Sequence, residues 1–221
     1  MNTEQSNLST PSGLILPHDL LVVSGAGALS EEQLPAWAQE AVRRVPMVVV
    51  RRAKIENGLI PVGVRGNHRG ERVAALLPST RITKRIYPEY LVANRAWWTT
   101  PRALKLQHFS ILNTVADVLN PTGLAWGPVG GIGFELASDH PCLTEASDID
   151  LVLRAPKPFS REVAAELHAV LCDLPVRIDV QVEVPAGAIA LAEIGSAAKQ
   201  IVLRTESGPR LIEDPWQEVM K

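Results

Sequence analysis

Cys142 and Cys172 are the only cysteines in 221 residues. They match neither a disulfide framework nor a metal-ligand spacing, which points to a reducing cytoplasm. No run approaches the roughly 20 apolar residues needed to cross a bilayer, so no membrane partner is expected. The opening MNTEQSNLSTPSG lacks a basic region followed by an apolar core, so no secretory signal is expected either. No G-x-x-x-x-G-K-[ST] occurs, which excludes a P-loop NTPase on motif grounds, and no dinucleotide fingerprint fits. Internal repeats are absent. An excess of one charge is absent as well. The 22 basic and 24 acidic residues leave a net charge of −2, which excludes a wholly basic nucleic-acid coat protein.

What remains is ordinary globular material, 46% apolar and 21% charged, enough for a sizeable core. Residues 1–13 read as a loose polar tail, 14–95 as a smaller N-terminal α/β domain that binds substrate or partner, and 96–221 as the catalytic domain. Met47-Val48-Val49-Val50 and the run from Leu59 to Val64 predict strands, joined across the turn signal Asn57-Gly58. Residues 69–77 predict a short helix that stops before Pro78. Thr100-Pro101 predicts a capped helix start, followed by apolar residues at helical spacing up to Asn120-Pro121. Ser160 predicts another start, with Val163, Leu167, Val170, Leu171 and Leu174 on one face. From Val176 the alternation is strict. Val176, Ile178, Val180 and Val182 face one way, and Arg177, Asp179, Gln181 and Glu183 the other, as in a half-buried strand. Around Ser207-Gly208-Pro209 a small hairpin is expected. Strands alternating with helices give an α+β chain, with helices on a mixed sheet.

Asp148 and Asp150 stand two apart at the start of an apolar strand. Side chains at i and i+2 share a face, and two carboxylates on one face repel unless a cation lies between them. Magnesium suits such a site, because it prefers oxygen ligands and is held by one or two carboxylates plus substrate phosphates. Asp179 joins the same site if its strand lies alongside. Just upstream, Gly127, Gly130, Gly131 and Gly133 fall within seven residues, and such loops let phosphate approach backbone N–H groups.

Helix, strand, Gly-Gly turn, D-x-D strand, helix and a strand with a third Asp resemble the polymerase-β-like nucleotidyltransferases. A narrower likeness covers residues 14–216. WGPVGGIGFELASDHPCLTEASDIDLVLRAP, with VVVRRA, PVGVRGNHRGERVAA, RIDVQVE and VLRTESGPRLIEDPW, resembles the phosphoribosyl-dephospho-CoA transferase family of malonate decarboxylase. Gly131 stands where that family usually has Ser, which leaves backbone amides to hold phosphate. The resemblance implies Asp148 and Asp150 as catalytic residues, and Asp148, Asp150 and Asp179 as Mg²⁺ ligands. Gly130 and Gly131 would lie at the donor's phosphates. The donor would be 2′-(5″-triphosphoribosyl)-3′-dephospho-CoA, and the acceptor a serine of the apo acyl carrier protein, with pyrophosphate leaving. A citrate-lyase-type transferase, a transferase of other nucleoside monophosphates and a non-catalytic nucleotide-binding domain are the competing readings.

Charge is spread unevenly. Residues 43–85 hold eleven basic and two acidic residues, a net +9, and the rest of the chain is −11. This block lacks the aromatics that stack nucleic-acid bases, so a triphosphate-bearing donor or an acidic carrier protein is the better polyanion. Arg65, Arg69 and Arg72 are the first candidates for substrate binding, since guanidinium forks match phosphate oxygens. Oligomeric state is not legible.

Overall fold

A computed structural model describes residues 14–29, 34–68 and 70–217. Its helices and two sheets give an α+β protein with two compact units, Met1–Ile86 and Tyr87–Lys221. The expected 1–13 tail lies outside the described residues, as does Arg69. No helix among the described residues is long and apolar enough to cross a membrane.

Among the described residues, unit 1 is an antiparallel sheet with one α-helix. Its elements are β1 (Leu20–Val23), α1 (Ala36–Arg44), β2 (Met47–Val50), β3 (Leu59–Arg65), β4 (Arg72–Pro78) and β5 (Ile82–Ile86), in the sheet order β4-β3-β2-β1-β5. Asn57 and Gly58 both take positive φ, 52° and 72°, as a two-residue hairpin turn requires. One sheet face supplies Leu21, Val23, Val48, Val50, Ile60, Val62, Val64, Ala75 and Leu77 to a core that α1 joins with Ala38, Ala41 and Val42. Asp19 is fully buried but takes a charge-assisted bond from Arg85 Nε at 2.7 Å, which offsets the penalty of burying it.

The expected helix over 69–77 is instead strand β4, paired with β3 over all seven of its residues, from Arg72↔Arg65 to Pro78↔Leu59. Local sequence misleads here because the outward positions carry Ala74 and Leu76 rather than polar side chains, so the polarity does not alternate.

Unit 2 begins with α2 (Pro88–Ala93) and α3 (Gln107–Leu119). There follow β6 (Ala125–Val129), α4 (Gly130–Ser138), β7 (Ile149–Arg154), α5 (Arg161–Cys172), β8 (Ile178–Val184), β9 (Gly187–Ala190), α6 (Leu191–Ile194), β10 (Ile201–Thr205) and β11 (Gly208–Ile212). The sheet order is β11-β10-β9-β8-β7-β6. Only β7 and β8 run parallel, and α5 makes the crossover such a pair needs. β7 is an inner strand, next to the edge strand β6, and Ile149, Leu151, Val152 and Leu153 are fully buried, as in a strand covered on both faces.

Helix α3 starts at Gln107, not at Pro101. Arg102 is drawn inward to Glu135 at 3.1 Å and to the Leu143 carbonyl at 3.2 Å, while Leu104 is wholly exposed. Tertiary partners thus override the local start signal. Helix α5 does start after Ser160, whose side chain caps the Val163 N–H. Its buried residues are Ala164 and Leu171, and Val163 and Val170 face outward. Gly195 packs against the α5 backbone here, where a Cβ would overlap Ala165, a constraint that hydrophobicity alone does not rank.

Candidate active site

The strand pairing collects the three acids. Asp150 on β7 and Asp179 on β8 are register partners in the parallel pair, so both side chains leave the same sheet face from strands about 4.8 Å apart. Asp148 lies two residues before Asp150, and the Ile149 N–H bonds the Arg177 carbonyl at 2.9 Å. Asp148 and Asp150 are half-buried and Asp179 is exposed.

A cation already serves one of these carboxylates. Arg177 donates from Nη2 and Nε to Asp179 Oδ1 at 3.1 and 3.3 Å. Its guanidinium is held protonated beyond its ordinary range, first by the hydrogen bond to Asp179, then by the charges of Asp179, Asp148 and Asp150. Arg177 was legible as a neighbour of Asp179 in the strict alternation of β8, yet its partnership comes only from the fold.

The glycine run is a strand-to-helix turn. Gly127 belongs to β6, where a Cβ would overlap the Pro88 carbonyl, so its lack of a side chain lets α2 rest on the strand. Gly130 opens α4 at φ +58°, and a Cβ there would overlap the Asp150 carboxylate. Val129, just before it, is the register partner of Asp150. Gly131 is buried in the first turn of α4, and its carbonyl accepts from Cys142 Sγ at 3.2 Å. The turn thus places the exposed backbone of Gly130 directly against one carboxylate.

Buried polar residues fix the segment that leads into Asp148. Glu135 on α4, 1% exposed, accepts from the N–H groups of Cys142 and Leu143 at 2.8 and 2.9 Å and pairs with Arg102. His108 on α3, fully buried, donates from Nε2 to the Ser147 carbonyl at 2.8 Å. Ser147 Oγ accepts from the Thr144 N–H. A lone acid within the apolar run GGIGFELAS was the available signal for Glu135.

As their side chains stand, no three His, Cys, Asp or Glu among the described residues are gathered closely enough to ligate a metal ion. The donor types nonetheless suit a hard divalent cation: Asp150 and Asp179 are register partners on β7 and β8, and Asp148 stands just before β7. The Arg177–Asp179 pair is 71% and 48% exposed, and exposed pairs hold weakly.

Two of the arginines expected to bind substrate, Arg65 and Arg72, belong to unit 1, and the third, Arg69, lies outside the described residues. Arg65 and Arg72 are register partners on β3 and β4.

Residues 16–88 match the model of the N-terminal domain of phosphoribosyl-dephospho-CoA transferase MdcG, and residues 96–215 match that of its C-terminal domain. The chain belongs to the phosphoribosyl-dephospho-CoA transferase family. Proteins of that name from Pseudomonas putida and Azotobacter vinelandii are each 42% identical to it, over 90% and 92% of this chain and 94% and 95% of their own lengths. The Pseudomonas aeruginosa relative is 40% identical over 91% of the chain and 93% of its own length. No solved structure matches. The chain is accordingly a transferase, and the readings as a citrate-lyase-type enzyme or a non-catalytic nucleotide-binding domain have no support.

Proposed function

We propose that the protein moves the phosphoribosyl-dephospho-CoA group of 2′-(5″-triphosphoribosyl)-3′-dephospho-CoA onto a serine of the apo acyl carrier protein of malonate decarboxylase. The observation that supports this reading is the match to both domain models of this family, with Asp150 and Asp179 paired in register beside the Gly130 turn.

The serine Oγ attacks the phosphorus nearest the ribose, and a P–O bond forms. The bond from that phosphorus to the bridging oxygen of the diphosphate breaks, and pyrophosphate departs with the electron pair. Such a reaction asks the protein mainly for positioning and charge stabilisation. Asp148, Asp150 and Asp179 would hold Mg²⁺, which when bound offsets phosphate charge and lowers the pKa of the attacking hydroxyl. Asp179, the most exposed of the three, accepts the seryl proton. Backbone N–H groups at Gly130 and Gly131 bind phosphate oxygens without the hydroxyl of the usual Ser. Arg65, Arg69 and Arg72 supply binding charge from unit 1.

The test combines the protein, the triphosphoribosyl donor, Mg²⁺ and the apo carrier, and weighs the carrier by intact mass spectrometry. The expected result is one added phosphoribosyl-dephospho-CoA group, with pyrophosphate release abolished by EDTA. Asp148→Asn and Asp150→Asn should each lower the rate at least ~10³-fold, as loss of transition-state charge stabilisation does, with an unchanged circular dichroism spectrum. Full activity in either variant overturns the site assignment.

A further inference from the structure

Strand pairing in unit 1 sets two like charges face to face. Arg65 ends β3, Arg72 begins β4, and the two are register partners. Like charges directly opposite on antiparallel strands are destabilising. Neither side chain forms an ion pair with a described residue. Glu71, adjacent in the chain, gives its Oε2 to the backbone N–H groups of Asn67 and His68 at 2.8 and 3.1 Å. A fold that keeps such a pair unbalanced on its surface is prepared for an outside anion.

The rest of that sheet face shows which kind. Gly63 and Ala74 are the next register partners on it, then Pro61 and Leu76, with Val49 of β2 beside Gly63. Core residues Val62, Val64, Ala75 and Leu77 occupy the opposite face. Ala74 is exposed and Leu76 is 38% exposed. The stem of the exposed Arg51 and a methyl of Val49 border the space above Gly63. The result is an apolar strip, Val49, Gly63, Ala74 and Leu76, edged by the guanidiniums of Arg51, Arg65 and Arg72.

A triphosphate is served by a concave site with convergent donors. Here the middle of the face is apolar, and Gly63 and Ala74 leave its backbone close to the surface. An apolar centre with a charged, arginine-rich rim is the anatomy of a protein–protein contact. We propose that this face docks the acceptor: carboxylates of an acidic carrier protein pair with Arg51, Arg65 and Arg72, and its apolar side chains lie on Ala74 and Leu76. This assignment rests on the functional reading above and extends it, by giving the outer sheet face of unit 1 to the carrier rather than to the nucleotide donor.

Steady-state transfer by the full chain tests it, with carrier and donor varied separately. In the double variant R65E/R72E, and separately in A74E, the KM for apo carrier should rise at least tenfold while the KM for the donor stays within twofold. The wild-type KM for carrier should climb steeply with salt. R72E alone should raise Tm, since it turns a repelling cross-strand pair into an attractive one, and this separates lost docking from lost folding. A raised donor KM with an unchanged carrier KM gives the face to the donor and overturns the proposal. No change in either KM overturns it as well. Failure of the wild type to modify the carrier at all strikes the functional reading itself, an outcome the variants cannot imitate.

Discussion

Gly130 combines two constraints that no other side chain meets: a left-handed φ of +58° and contact with the Asp150 carboxylate. Gly130→Ala should lower the transfer rate about 10²-fold, the order expected when a reacting group is displaced by about 1 Å, with Tm less affected than rate. His108 acts through the backbone rather than on substrate. His108→Leu leaves the Ser147 carbonyl without its donor and should destabilise by about 1–3 kcal/mol in urea unfolding. As a positioning residue it should lower kcat with little change in either KM, and His108→Gln should restore part of the rate. Asp148 and Asp150 stood out in the sequence because their period-two spacing is local, and Asp179 because it lies in the strict alternation of β8, but their meeting depends on the β7–β8 pairing. Glu135, Arg102 and His108 did not, because their partners lie 33, 41 and 39 residues away, beyond what a window of sequence carries.

Elements were legible where their pattern was self-contained. Strict alternation in β8 and the Asn57-Gly58 turn follow from one strand and one turn. The outward Ala74 and Leu76 of β4, by contrast, concealed a strand whose identity depends on β3. The join of α2 to β6 is equally non-local, and it depends on Gly127. Gly127→Ala forces a methyl into the Pro88 backbone and should cost about 1–3 kcal/mol, as overpacking does, read as a fall in Tm. At the start of α5, Glu162 is held below its ordinary value of 4.5, first by its own backbone N–H, then by the Ser160 hydroxyl, with Arg161 adding charge. A depressed folded-state pKa stabilises above the unfolded value and is lost as pH falls through the folded one. Glu162→Gln should therefore lower Tm slightly at pH 7, and the gap to wild type should close as the pH drops below the ordinary glutamate range.

Over the whole molecule, charge divides with the units. Residues 1–86 carry eleven basic and seven acidic residues, and residues 87–221 eleven and seventeen. The acidic unit still keeps the Arg177 guanidinium on Asp179. On the proposed Mg²⁺ reading, Arg177 is a built-in placeholder at Asp179. A divalent ion arriving alone must evict it, whereas one arriving on a polyphosphate brings anions to which the displaced guanidinium can turn. Ion and donor should therefore load cooperatively, with weak ion uptake in the donor's absence. Replacing Arg177 with Gln removes the occupant, so Mn²⁺ should bind the donor-free protein several-fold more tightly in a titration followed by water-proton relaxation, and the resting enzyme would lose its guard against idle metal.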